Sequence, residues 1–196
     1  MKRGFDIVVS FLILIFILPL LLIISLAVLF DSKGGVFYRQ VRVGKNGKNF
    51  KILKFRTMFT NSDKKGLLTV GMNDSRITRS GYWLRKHKLD ELPQLINVLV
   101  GDMSLVGPRP EVPKYVEMYT GEQRKVLLVR PGITDYASLK YRNENEILAK
   151  SKDPEKEYIE VIMPEKISIN MQYIGEASLG ADLKIIWLTI KVVFKG

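Results

Sequence analysis

The 196-residue chain has no cysteine and a single histidine, His87. Disulfides and thiolate metal sites are thereby excluded, and one imidazole cannot build a histidine-based zinc centre. Any metal the chain uses is a hard, oxygen-bound cation such as Mg²⁺. Acidic residues are also short, with 20 Asp and Glu against 31 Lys and Arg, a net charge of +11. That imbalance points to an anionic partner: nucleic acid, a phosphorylated substrate or an acidic membrane surface. There is no internal repeat and no low-complexity stretch.

What is plentiful is apolar sequence at the start. From Ile7 to Phe30 no residue is charged. As straight helix, two dozen residues reach about 36 Å, enough to cross a hydrocarbon core of about 30 Å. The run ends Leu29-Phe30-Asp31 rather than in a small-residue cleavage site, so we expect it to be retained and not removed as a signal peptide. Pro19 stands near its middle and predicts a kink. Lys2 and Arg3 precede the run, and Lys33, Arg39, Arg42, Lys45 and Lys48 follow it. Positive flanks at both ends each prefer the cytoplasmic face. A helix broken at Pro19 that enters and leaves by one face satisfies both; a plain single span with a short translocated N-terminus is the alternative.

Beyond Gly34-Gly35 the pattern predicts a β-hairpin from residues 36–43 and 50–58 around the turn cluster 44–49. A polar loop over 61–66 and a short basic helix over 79–88 follow. Asp102–Val106 reads as a short buried strand. Segments 111–118, 122–128 and 164–177 read as helical in a largely helical second half, with 143–150 polar and Asp153-Pro154-Glu155 as a helix start. The last segment, 182–194, puts Leu183, Ile186, Trp187, Ile190, Val193 and Phe194 on one face, as a core helix or an interfacial one. The fold class is therefore mainly α with a small β-hairpin (α+β), with a membrane unit over 1–32 and a second unit over 33–196. No nucleic-acid recognition motif is present, and the basic residues adjoin a membrane segment, which favours lipid headgroups or a phosphorylated substrate.

The central stretch is Arg85-Lys86-His87-Lys88-Leu89-Asp90-Glu91-Leu92-Pro93. Leu92, Leu95, Ile96, Leu99 and Val100 then recur at one-face helical spacing, and Gly101 stops the run. Proline is tolerated only in the first helical turn, so Pro93 places the helix start at Asp90 to Leu92. Asp90 is expected at or near the N-cap, with Arg85 nearby holding its pKa low. Taken alone, the pair reads as a cap with a charged neighbour. Gly107-Pro108-Arg109-Pro110 fixes the backbone around one guanidinium, which suits bidentate phosphate binding. Arg130-Pro131-Gly132 repeats the theme.

A proline-interrupted membrane run, FKILKFRTM (50–58), LDELP (89–93) with Asn97-Val98-Leu99, GDMSLVGPRP (101–110) and RPGIT (130–134) occur in this order. With them the chain resembles the bacterial sugar transferases, small monotopic phosphoglycosyl transferases. The resemblance implies transfer of a phosphosugar from a UDP-sugar to undecaprenyl phosphate, giving UMP and a lipid diphosphate-linked sugar. It implies Asp90 as nucleophile, Glu91 as its partner, Mg²⁺ as cofactor with Asp90 as ligand, and a re-entrant helix broken at Pro19. It further implies amphipathic interfacial helices, contact with anionic lipid, a catalytic unit on the cytoplasmic face of the bacterial inner membrane, and a possible homodimer. Arg85 and Arg109 match arginines of the family's active site, and Arg130 and Arg142 complete the candidate phosphate-binding set. Two departures stand out. Leu18 replaces the Ser of the common Ser-Pro break. After RPGIT, where many members have Gly-Trp-Ala-Gln and then Gly-Arg-Asn, this chain has Asp135-Tyr136-Ala137-Ser138 and then Tyr141-Arg142-Asn143.

Overall fold

A computed structural model describes residues 2–62 and 74–195. It is mostly helical with little strand. Helix α1 covers Lys2–Asp31, β1 Phe37–Val43, β2 Asn49–Phe55, α2 Arg79–Lys86 and α3 Gln94–Val100. Strand β3 (Ser104–Val106), α4 (Pro113–Val116), β4 (Gly132–Thr134), α5 (Tyr136–Lys140) and α6 (Glu144–Lys150) follow. Helices α7 (Pro154–Glu157), α8 (Met163–Gly175) and α9 (Leu179–Lys195) close the chain. Strands β1 and β2 form the expected antiparallel hairpin, with Val43 opposite Asn49 and Phe37 opposite Phe55. The short strand at 104–106 is also present, but it pairs in parallel with β4, a partner the pattern did not predict. Part of the loop read over 61–66 lies outside the described residues. The cap of α2 is Thr78, whose hydroxyl accepts from the Gly81 N–H at 3.0 Å.

One helix was longer than the pattern indicated. Helices α7 and α8 join through a π-helical turn, Tyr158–Ile162. Pro164 sits in the first turn of α8 and has no N–H to give to the preceding ladder, which accounts for the irregular turn just before it.

Helix α1 stays helical through Pro19 for 30 residues, so the break expected there is not an interruption of the helix. Its side chains divide sharply. Asp6, Val9, Ser10, Ile13, Leu14, Ile17, Leu21, Ile24, Val28 and Asp31 are buried or half-buried at helical spacing, while Val8, Phe11, Phe16, Leu22, Ile23 and Phe30 are exposed. The inner stripe packs on two clusters. The N-terminal half meets Leu95, Val98, Met103 and Ile185, and the C-terminal half meets Phe55 and Leu84.

Both ends of α1 are tied to the same body. Arg3 donates to the carbonyls of Val98 (2.6 Å) and Leu99 (3.0 Å), capping the C-terminus of α3. Asp6, almost fully buried, accepts from the Ser104 hydroxyl at 2.8 Å. Lys2 pairs with buried Asp182 of α9, which also accepts from the Tyr173 hydroxyl. At the far end Arg56 donates to the Val28, Ser32, Lys33 and Gly35 carbonyls, and Asp31 caps α2 through the Ser80 N–H at 2.8 Å. A helix held by one face and both ends is a seated element, unlike a tether.

Helix α9 divides likewise. Asp182 and Ile185 face the core, whereas Leu183, Trp187 and Ile190 are about half exposed. Nothing is described of the Val193 and Phe194 side chains.

Candidate active site

The dyad does not sit where the pattern put it. Leu89–Glu91 forms a 3₁₀ turn entered through Lys88 in the left-handed region (φ 56°), and α3 proper begins at Gln94 with Pro93 in the cap position. Asp90 therefore lies in the turn before the helix, not at an α-helical N-cap. Among the described residues no hydrogen bond reaches its carboxylate, although it is only 7% exposed.

Glu91 is treated very differently. Arg109 grips it with both terminal nitrogens, Nη1 to Oε2 at 3.0 Å and Nη2 to Oε1. Lys54, from β2, donates to Oε1 at 2.9 Å. The partners come from three separate pieces of chain. The hairpin supplies Lys54, the 89–91 turn supplies Glu91, and the loop after β3 supplies Arg109.

The electrostatics split the two carboxylates. Burial raises the Asp90 pKa and the adjacent Glu91 charge raises it further, against the pull of Lys54, Arg85 and Lys88. This overturns the expectation that Arg85 and a helix start keep Asp90 low. With no N–H group among the described residues bonded to the carboxylate, desolvation and a like charge win. For Glu91 burial also acts upward, but Arg109 and Lys54 override it and hold the carboxyl well below the usual range. Glu91 in turn raises the Arg109 pKa. Lys54 is lowered by burial, with Glu91 opposing. Arg85 is half-buried and lowered by desolvation, with Asp90 and Asp74 acting the other way. A pair of carboxylates pushed apart by their surroundings is a recurring mark of divided chemical roles.

The structure brings Asp90, Glu91, Arg109 and Arg85 into one electrostatic neighbourhood. Arg130 stands one link away, donating through Nε to the Gly101 carbonyl at 3.0 Å where α3 ends. Arg142 is exposed on the turn before α6, and no hydrogen bond or ion pair of its side chain is seen among the described residues. Pro19 lies on the exposed face of α1, away from the dyad in sequence and in packing. Pattern reading missed Lys54. A second lysine in the strand Asn49–Phe55, directly between Leu53 and Phe55, was the available signal.

The Arg109 loop is set by a backbone-on-backbone junction. Gly107 N–H donates to the Thr134 carbonyl at 3.1 Å, and Gly132 N–H to the Pro108 carbonyl at 3.0 Å. A Cβ on Gly132 would lie 2.1 Å from the Gly107 nitrogen, and one on Gly107 would lie 2.5 Å from the Arg130 oxygen. Only glycine fits either place, so GPRP and RPG are one joined feature.

For a metal, the donor set is narrow. Among the described residues no three acidic or histidine side chains gather. Both Glu91 oxygens already face cations. Asp90 is the dyad carboxylate to which no cation is hydrogen-bonded among the described residues, and one protein carboxylate supplemented by substrate phosphate and water suits Mg²⁺.

Comparison with known proteins fits this arrangement. The description "Bacterial sugar transferase" matches residues 1–196. A UDP-glucose:undecaprenyl-phosphate glucose-1-phosphate transferase of Escherichia coli (strain K12) is 41% identical over 200 residues, covering 100% of this chain and 40% of that protein. A UDP-N-acetylgalactosamine-undecaprenyl-phosphate N-acetylgalactosaminephosphotransferase of Aeromonas hydrophila is 36% identical, covering 100% of this chain and 44% of that protein. The uncharacterized sugar transferase EpsL of Bacillus subtilis (strain 168) is 36% identical over 193 residues, with 98% of this chain and 87% of that protein covered. The chain thus spans about two fifths of the length of the first of these relatives and most of the length of EpsL. With the whole chain matched and the dyad, the GPRP loop and the RPG junction assembled as described, the protein belongs to the bacterial sugar transferase family.

Proposed function

We propose that this protein is a phosphoglycosyl transferase, moving a phosphosugar from a UDP-sugar to undecaprenyl phosphate at the cytoplasmic face of the bacterial inner membrane. Such a transfer is a membrane step of glycoconjugate assembly. The observation that carries the reading is the division of the dyad, with Glu91 locked between Arg109 and Lys54 and Asp90 with no cation hydrogen-bonded to it among the described residues. A carboxylate nucleophile must have an oxygen free to attack, and among the described residues neither Asp90 oxygen is engaged by a hydrogen bond.

In this reading an Asp90 oxygen attacks the phosphorus that carries the sugar. The bond from that phosphorus to the bridging oxygen breaks, and UMP leaves with the electron pair. The Asp90 acyl phosphate is then attacked by a phosphate oxygen of undecaprenyl phosphate. Its acyl–phosphate link breaks, returning the carboxylate and giving the lipid diphosphate sugar. Phosphoryl transfer asks mainly for positioning and charge neutralisation, which Arg109, Lys54 and Arg85 offer around the dyad. Arg130 and Arg142 are further candidates for substrate phosphate. Mg²⁺, when bound on Asp90 with diphosphate oxygens, would neutralise the charge that collects on the departing UMP. Because Arg109 and Lys54 keep Glu91 ionised and occupied, it positions those cations and is a poor proton acceptor.

The acceptor is a lipid phosphate, so the site belongs at headgroup depth. Helix α1 lies along the domain by one stripe and presents the opposite apolar stripe outward. Drawn straight across a bilayer it would pull the domain in with it. We infer a monotopic seat, with α1 entering and leaving by the same face and the exposed residues Leu183, Trp187 and Ile190 of α9 lying in the interface beside anionic lipid. A homodimer is compatible with this seat.

The test is Asp90→Asn in membrane nanodiscs with a panel of UDP-sugars, undecaprenyl phosphate and Mg²⁺. UMP release is expected to disappear while the protein stays folded, and intact-mass measurement of wild type with donor alone should show a phosphosugar adduct. Normal turnover by Asp90→Asn would overturn the nucleophile assignment. Absence of UMP release by wild type across the panel would overturn the reaction.

A further inference from the structure

We propose that Asp135 is a positioning residue for the Arg109 loop, taking over in this chain a task that a residue without a side chain cannot perform. The inference rests on the functional reading above for its kinetic consequence, but not for its geometry. Asp135 is completely buried. Its Oδ2 accepts from the backbone N–H of Arg109 at 2.8 Å, and its Oδ1 accepts from the Ser138 N–H, capping α5.

The Arg109 amide is the only main-chain donor in the tripeptide Pro108-Arg109-Pro110, since neither proline has an N–H. The other tethers of that tripeptide act on its carbonyls. Gly132 N–H reaches the Pro108 oxygen at 3.0 Å, and the Arg42 guanidinium reaches the Pro110 oxygen at 3.1 Å. Among the described residues, the bond to Asp135 is therefore the one main-chain hydrogen bond seen on the residue whose side chain grips Glu91. It fixes the direction in which the Arg109 Cα–Cβ bond leaves the backbone. One carboxylate joins the RPG turn, the start of α5 and the phosphate clamp. The sequence departure at 135 consequently lies against the dyad's cation and not on a remote surface. At 0% exposure Asp135 cannot itself touch substrate.

The experiment compares Asp135→Ala and Asp135→Asn with wild type and with Asp153→Ala in nanodiscs. Asp153 caps α7 through the Lys156 N–H at 3.1 Å and serves as the cap-loss control. Two readouts are taken: steady-state UMP release, and hydrogen exchange of the Arg109 amide, the one exchangeable main-chain site between Pro108 and Pro110. We expect Asp135→Ala to lower kcat about tenfold or more, with donor KM changed less than about threefold, as for a displaced clamp. Exchange at Arg109 should quicken. Asp135→Asn, keeping one acceptor oxygen, should lie between Asp135→Ala and wild type, and Asp153→Ala should move neither readout. Unchanged kcat and unchanged Arg109 exchange in a folded Asp135→Ala overturn the proposal. If Asp135→Ala does not fold, wild-type values in Asp135→Asn overturn it. If wild type releases no UMP from any donor, the functional reading fails and the exchange measurement alone decides this proposal.

Discussion

Replacing Glu91 by glutamine tests the electrostatic frame of the site most directly. The substitution keeps size and one acceptor oxygen but leaves Lys54 and Arg109 facing each other without an anion. Removing one partner of a buried ion pair costs about 3–5 kcal/mol. Here the Lys54, Glu91 and Arg109 side chains keep 17%, 16% and 32% exposure, and water screens part of the effect. We therefore expect about 2–4 kcal/mol, or roughly 4–16 °C in Tm for a chain of this size. The loss should also depend on pH in a particular direction. Burial lowers the Lys54 pKa and Glu91 opposes that shift, so glutamine lowers it further. A lysine whose folded pKa lies below its unfolded value binds fewer protons folded than unfolded. Stability then rises with pH in the window between the lowered folded value and the ordinary one near 10.5. Thermal unfolding of wild type and Glu91→Gln from pH 7 to 10 should show the gap between them narrowing as pH rises. Turnover should drop, because Arg109 loses the partner that aims it. A variant within about 1 °C of wild type at pH 7, with a gap that does not change with pH, would refute the reasoning.

Two further outcomes follow from the same geometry. Ionised Asp90 is the attacking form, so donor-driven UMP release should rise with pH through an inflection above the ordinary carboxylate value of 3.8. In Glu91→Gln a like charge is gone and the inflection of the residual rate should move down; an upward move would contradict the assignment. Gly132→Ala places a methyl 2.1 Å from the Gly107 nitrogen, so a loss above about 4 kcal/mol or failure to fold is expected in thermal melts. Gly175→Ala, with nothing within 4 Å, should be neutral or stabilising by up to about 1 kcal/mol, and equal effects at the two positions would refute the junction.

How much of this was legible beforehand depends on range along the chain. Helix α1, the hairpin, α2 and α9 carry their own periodicity, and residues a few positions apart decide them. The dyad and Arg109 were visible as motifs, but their contact was not. The Lys54 to Glu91 bond joins residues 37 apart, and no periodic pattern encodes such a meeting. The β3–β4 pair escaped because three residues are too few to show alternation, and parallel partners arrive from a distance. Asp90 was misplaced by one turn because Pro93 marks a helix start correctly, while the left-handed Lys88 opens a tighter turn ahead of it. The Asp135 departure was seen as a difference. Its buried bond to Arg109 could be found only once the two loops were in contact.

The seat of α1 also has a history in time. The chain emerges from the ribosome N-terminus first. Lys2 is made 180 positions ahead of its partner Asp182. Asp6 waits for Ser104, and the carbonyls at the far end wait for Arg56. The apolar helix is thus complete before any of the partners that tie Lys2, Arg3 and Asp6 has been synthesised. Each tie forms only as its partner appears, and the Asp182 tie from α9 comes last. In the monotopic seat proposed above, a nascent chain stalled before α9 would carry the apolar helix without its Lys2 tie, and the dyad would not yet be held at its working depth.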